Sequence, residues 1–198
     1  MRTKRTPYIL AGILAGIVGL FVFLTIHHFT INPIWFILPV GILLSAAGGA
    51  AVGWAFYEMR PRLGANAIWS ALILAGLLTL TQVPGFLIGQ RYGPVVDLQN
   101  ESILEGMTNE LVRRFVLDLV LMAGVVGALV GWFVGRTRLA VIAMALAGVA
   151  FALGPGHNIP FFVGVGISAA GKMLATMAAV ILASGLTMGV TAYWFEQR

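Results

Sequence analysis

Apolar residues run along this chain in six long segments that are separated by short stretches of Gly, Pro, Asn and charged residues. The segments cover about 8–27, 35–57, 65–88, 115–135, 139–154 and 172–195. A helix needs about 20 apolar residues to cross the hydrocarbon core of a bilayer. The pattern therefore predicts an all-α integral membrane protein with six transmembrane helices, spans 1 to 6, in a single transmembrane domain over 1–198.

The residues ahead of the sixth segment fit this plan less simply. Apolar residues continue from Pro160 to Phe195, which is too long for one span. Gly164, Gly166 and Gly171 break this run near its start. These glycines suggest that 160–171 is a broken or interfacial segment that leads into span 6, and the alternative is that it forms part of span 6.

The positions of Lys and Arg predict the orientation of the spans, because cytoplasmic loops carry an excess of these residues. One side of the predicted bundle carries Arg2, Lys4, Arg5, Arg60, Arg62, Arg136, Arg138 and Arg198. The other side carries Arg91, Arg113, Arg114 and Lys172, together with Asp97, Glu101, Glu105, Glu110 and Asp118. Both termini are therefore expected in the cytoplasm, and the expected location is the plasma membrane of a bacterium or archaeon.

Composition excludes several classes of protein. Hydrophobic residues make up 60% of the chain and charged residues only 10%, against about 25% charged in soluble domains. The net charge of +5 would suggest nucleic-acid binding in a soluble protein. Here the charges lie between the apolar segments, so the expected partner is the lipid bilayer and no nucleic acid. The chain has no cysteine, which excludes thiolate-bound zinc and iron–sulfur clusters.

Three tandem hairpins are predicted from internal similarity. Val52-Gly53-Trp54 is followed by Arg60-Pro61-Arg62-Leu63, and Val130-Gly131-Trp132 by Arg136-Thr137-Arg138-Leu139. Pro84 and Pro160 are separated by the same number of residues as Arg60 and Arg136. Each hairpin would hold an odd span, an outer turn and an even span. The three would cover about 8–57, 65–135 and 139–195, and the second would include an outer amphipathic segment over 89–114.

Small residues four apart recur near the cytoplasmic ends of the even spans. Such spacing allows helix backbones to approach closely in lipid. We expect the even spans to form the inner contact set of the bundle through these glycines: Gly49, Gly53, Gly127, Gly131, Gly135, Gly185 and Gly189.

Ionisable residues at the outer ends of even spans are candidates for a polar or ion-coupling site. Asp118 and Lys172 each lie a few residues inside apolar sequence, where a charge is costly unless it is paired or hydrated. Arg114 precedes Asp118 by one helical turn, and Lys172 would approach Asp118 if spans 4 and 6 touch. The alternatives are a structural ion pair and a polar vestibule at the outer mouth.

All three histidines, His27, His28 and His157, fall on the outer side. Imidazoles on converging turns could bind haem or a divalent metal, and they could equally be interfacial residues with an apolar body and a polar tip. If the histidines are interfacial residues, no cofactor is expected, and this is the favoured interpretation. Haem or a divalent metal is the alternative.

The sequence carries no motif of a known enzyme class, such as HExxH or GxSxG, and we expect no catalytic activity. Three functions are compatible with it. The first is a non-catalytic integral subunit or scaffold of a larger membrane complex, bound to other subunits or to itself. The second is a small transporter or channel-like protein with a polar outer vestibule. The third is a haem- or metal-binding redox protein that uses the outer histidines.

Overall fold

The computed structural model describes residues 5–27, 34–64, 66–80, 109–153 and 167–198, and all of their regular secondary structure is helical. The helices are α1 (Arg5–His27), α2 (Ile34–Leu63), α3 (Ala67–Leu80), α4 (Asn109–Gly135), α5 (Arg138–Leu153) and α6 (Ile167–Glu196). They follow the six predicted segments in order, so the all-α prediction is confirmed for the described residues.

Three of these helices are long and apolar enough to cross a membrane, over Arg5–Ile26, Gly41–Leu63 and Ala178–Glu196. The apolar stretches Ala67–Leu80, Val120–Gly135 and Arg138–Ala150 are shorter. For α3, the predicted apolar segment continues to residue 88, which lies outside the described residues. Six complete crossings therefore stay a prediction.

Helices α2 and α6 both extend beyond the apolar segments that the hydropathy pattern predicts. Helix α2 continues beyond residue 57 to Leu63, and the side chains of Phe56 and Met59 near this end are fully buried. Burial of these side chains explains why the helix continues past the apolar segment. Helix α6 begins at Ile167 and passes through Gly171 without a break, because one glycine costs a helix only about 1 kcal/mol. Of the alternatives for 160–171, the part from Ile167 onward is therefore the start of α6, and residues 160–166 lie outside the described residues.

The turns at the ends of α2 and α4 use the same backbone device. Gly64 follows α2 with a φ of 78°, and Arg136 follows α4 with a φ of 52°. A residue in this left-handed conformation commonly ends a helix. The Asn66 side chain then accepts a hydrogen bond from the Trp69 amide at 3.0 Å, and the Thr137 hydroxyl accepts one from the Ala140 amide at 3.1 Å. Both side chains act as N-caps of the helix that follows.

Packing joins the two helices of the first predicted hairpin and also joins helices from different predicted hairpins. Helix α1 packs on α2 and α4 packs on α5, whereas α3 packs mainly on α6. Further contacts join α1 to α6 and α2 to α5. The largest fully buried apolar side chains are Phe56, Met59, Leu74, Met144 and Met188, and alanines fill much of the remaining core.

The outward faces of the helices are apolar. Phe133 on α4 is 80% exposed and Leu43 on α2 is 70% exposed. Exposed large apolar side chains occur on all six helices, including Leu14, Leu43, Trp69, Leu121, Leu129, Phe133, Ile142, Leu146, Leu182 and Leu186. Soluble monomers rarely expose apolar surface this extensive.

Candidate functional site

The N-termini of α1, α3 and α5 and the C-termini of α2, α4 and α6 meet at one end of the bundle, which we call the arginine end. Backbone approaches fix this arrangement: Gly53 lies against Tyr8, Gly131 against Ala140 and Gly189 against Ile68. The described arginines at this end are Arg5, Arg60, Arg62, Arg136, Arg138 and Arg198. Its only described acidic residues are Glu58 and Glu196.

Glu196 is the centre of a polar network that joins four helices. Tyr8 on α1 donates a hydrogen bond from its hydroxyl to Glu196 Oε1 at 2.7 Å. Arg60 on α2 donates from Nε to Oε1 and from Nη2 to Oε2, each at 3.1 Å. Arg60 Nη1 also donates to the hydroxyl of Ser70 on α3 at 3.4 Å. This bidentate, charge-assisted pairing is among the stronger kinds of protein hydrogen bond.

The burial of the network indicates a structural role. Ser70 is fully buried, and its hydroxyl oxygen accepts the Arg60 hydrogen bond. The Tyr8 ring packs edge-on against Phe56, with ring centroids 5.6 Å apart. The side chains of Arg60 and Glu196 are about one-fifth exposed. Since a buried polar group must be hydrogen-bonded to be tolerated, these contacts stabilise the packing of α1, α2, α3 and α6.

Glu58 forms a second, smaller cluster beside this network. Its carboxylate accepts a hydrogen bond from Trp54 Nε1 at 3.2 Å and lies 3.8 Å from Arg5 Nη2. The Arg5 guanidinium also lies over the Tyr57 ring, 5.6 Å from its centroid. Both acidic residues of the arginine end are therefore engaged by arginine.

The glycine pairs of the even helices lie against odd helices. A Cβ on Gly53 would clash with backbone of Tyr8 and Ile9, and one on Gly49 would clash with Gly12. The equivalent partners are backbone atoms of Ala140 and Met144 of α5 for Gly131 and Gly127, and of Ile68 of α3 for Gly189. A Cβ on Gly185 would instead meet the side chains of Ala75 and Leu72 of α3. A Cβ on Gly135 would meet the Ala140 side chain. In each pair the even helix crosses the first turns of an odd one.

This geometry differs from the predicted inner set of even helices. The even helices use their glycines to approach α1, α5 and α3, and not one another. The reason is steric, because atoms of the odd helix fill the space beside each glycine: backbone atoms at five of them and side chains at Gly135 and Gly185. The Arg-x-Arg-Leu sequences also occupy different places: Arg60 and Arg62 lie in the last turn of α2, whereas Arg136 lies in a turn and Arg138 begins α5. The tandem repeat stays a prediction.

The predicted outer site is only partly within the described residues. Asp118 is half-buried on α4. Arg114 and Lys172 lie in α4 and α6, but their side chains are outside the described residues. The pairing of Asp118 with Lys172 required contact between the two helices, and among the described residues α4 and α6 are not a packed pair. Arg114 stays the predicted partner of Asp118.

The histidines fall at or beyond the limits of the described residues. His27 is the last residue of α1 and its side chain is outside them, as are His28 and His157 and residues 89–108 of the predicted amphipathic segment. The last six residues of that segment, from Asn109, belong to α4 and continue directly into it. The described residues hold no group of three His, Asp or Glu side chains that could bind a metal ion.

Sequence reasoning did not single out Tyr8, Arg60, Ser70 or Glu196. The available signal was that Glu58 and Glu196 are the only acidic residues among the described arginines of one side. An acidic residue in such surroundings has an arginine within reach. Comparisons of the chain with family models, with curated proteins and with solved structures find no match.

Proposed function

We propose that the chain is an integral membrane protein of six crossings that serves as a non-catalytic subunit or scaffold of a larger membrane complex. One observation carries this proposal. The polar side chains of the Glu196 network are used to hold helices together, while large apolar side chains cover the outward faces. A protein of this kind offers its partners an apolar surface and a rigid bundle.

A lipid environment accounts for the outward faces better than water does. Burying apolar surface contributes roughly 25 cal/mol per Å², so side chains such as Leu43, Leu121 and Phe133 would favour aggregation in water. In a bilayer the same side chains contact acyl chains. Packing between helices must then come from close backbone approach and hydrogen bonds, and this chain supplies the first at Gly53, Gly131 and Gly189.

Both termini are proposed to lie in the cytoplasm, because the arginine end carries the excess of basic residues that favours that side. The absence of cysteine makes a direct test simple. Single cysteines at Thr137 and Arg198 should react with a membrane-impermeant maleimide only after the cytoplasmic side is opened. A cysteine at Asn100 is the matched control, and it should react in intact cells. The reverse pattern would contradict the orientation.

The subunit proposal is tested by purification from native membranes in mild detergent, followed by native mass spectrometry. We expect one second membrane protein, or a second copy of this chain, at fixed stoichiometry. Variant G131L disrupts packing inside the bundle. We expect it to lose the complex only if its melting temperature also falls, so the melting temperature is measured in parallel. A monodisperse single chain that keeps its fold would contradict the proposal.

A small transporter is the second candidate, and Asp118 is the observation that favours it. This carboxylate is half-buried on an apolar helix, and such groups often mark ion or proton pathways. If the protein is a transporter, the flux of ions or protons into reconstituted vesicles should depend on Asp118.

A further inference from the structure

The arginine end carries more arginine than its acidic residues neutralise. Glu58 is engaged by Arg5 and Glu196 by Arg60. Within the part of the chain that the structure describes, the side chains of Arg62, Arg136 and Arg138 have no hydrogen-bond or ion-pair partner. The three are exposed. Three exposed guanidinium groups of one sign therefore have no counter-charge among the described residues.

Their positions along the helices place these arginines at a similar level. Helix α2 packs antiparallel to α5, and Gly48 lies against Ala150. Arg62 follows Gly48 by 14 residues and Arg138 precedes Ala150 by 12. At about 1.5 Å per residue, both lie roughly 20 Å from that contact in the same direction. Arg136 lies two residues before Arg138, in the turn between α4 and α5.

Exposed aromatic residues lie within four positions of two arginines of this end, Arg136 and Arg198. Trp132 is 65% exposed, and it lies with Phe133 within about one turn of Arg136 on α4. At the end of α6 the Arg198 guanidinium stacks on the exposed Trp194 ring, 3.5 Å from its centroid. Trp is enriched where acyl chains meet headgroups, and arginine binds phosphate with a planar, multiply donating group. One ligand that would satisfy both features has an acyl chain beside a phosphate.

We propose that the arginine end binds anionic phospholipid headgroups, with Arg136 and Arg138 at the α4–α5 turn as its main contacts and Arg62 beside them. The inference rests on the proposed membrane location and goes beyond the subunit role. It assigns a lipid class to one surface of the bundle. The phosphate accepts hydrogen bonds from the guanidinium groups while the acyl chains contact Trp132 and Phe133.

The test is native mass spectrometry of the full chain in mild detergent with an equimolar mixture of phosphatidylglycerol and phosphatidylcholine that carry identical acyl chains. The wild-type protein should retain phosphatidylglycerol preferentially. Variant R136Q/R138Q should lose about 30-fold of that preference, because each basic residue near an anionic surface contributes roughly a factor of five. Variant R91Q/R113Q removes the same charge from the predicted outer side and should keep the preference.

Each further outcome supports or overturns the proposal. Equal retention of both lipids by the wild-type protein would overturn it, and so would an equal loss in R91Q/R113Q. Retention of neither lipid by the wild-type protein would also overturn it, whereas the membrane location is tested separately by the cysteine-labelling experiment. If R136Q/R138Q fails to fold, R62Q should still lose about five-fold. The melting temperature is also compared with added glycerol phosphate and with added phosphatidylglycerol. If both raise it equally, the site binds soluble phosphate, and the lipid assignment is overturned.

Discussion

Gly131 offers the sharpest test of how the helices pack. A Cβ at this position would lie 2.5 Å from the carbonyl oxygen of Ala140 and 2.9 Å from Val141 Cα. Ordinary contacts of a Cβ begin near 3.4 Å. Both neighbours are backbone atoms, and they can move only if α5 moves with them. Substitution G131A therefore separates α4 from α5 instead of shifting one side chain.

The magnitude follows from two opposing contributions. Overpacking of a well-packed core typically costs up to about 3 kcal/mol, and alanine regains about 1 kcal/mol of helix propensity over glycine. The net loss in the free energy of unfolding is about 2 kcal/mol. For a chain of this size the melting temperature should fall by about 4–8 °C. Control G76A replaces a glycine whose Cβ would meet nothing within 4 Å, so it should raise the melting temperature by about 2–4 °C.

Tryptophan fluorescence during heating in mild detergent measures both variants under identical conditions. The signs matter more than the sizes, because the same chemical change is made in two helices. If G131A were as stable as the wild-type protein, or shifted upward like G76A, then α4 and α5 would not approach as closely as described. The steric reasoning would then be refuted.

Three other predictions concern individual side chains. In a double-mutant cycle with R60A and E196A, we expect a coupling energy of about 1 kcal/mol or more in thermal melts, and additive effects would contradict the network. Variant T137A should lose about 1 kcal/mol of stability, because the Ala140 amide loses its cap. Variant D118N should abolish vesicle flux at unchanged melting temperature if the protein is a transporter, and unchanged flux would exclude a coupling role for Asp118.

The helices could be predicted from the sequence because the apolar segments are long and their breakers are clear. Helix ends were less predictable. Hydropathy fell at Tyr57, yet α2 continues to Leu63 with Phe56 and Met59 buried near this end. The glycines of 160–171 left open where α6 begins, and the helix passes through Gly171. In both places the fall in hydropathy or the presence of a glycine was too small an effect to end the helix.

Helix partners could not be read from the chain. Glycine spacing correctly indicates which face of a helix allows close approach, but nothing in Gly49-x-x-x-Gly53 says which helix will fill the space. The Glu196 network has the same character, because Tyr8 and Glu196 are 188 residues apart and meet only through the packing of α1 and α6. Such contacts depend on the whole bundle.

The pairing of α3 with α6 has a consequence for the order in which the bundle assembles. Helices α1 and α2 can pack as soon as both are made, and so can α4 and α5. Helix α3 has its main partner in α6, which the ribosome produces about a hundred residues later. Until then the face of α3 that carries Ile68 and Ala71 lacks its principal cover. Completion of α6 therefore closes two interfaces at once, and a translational pause before it should prolong a partly assembled intermediate.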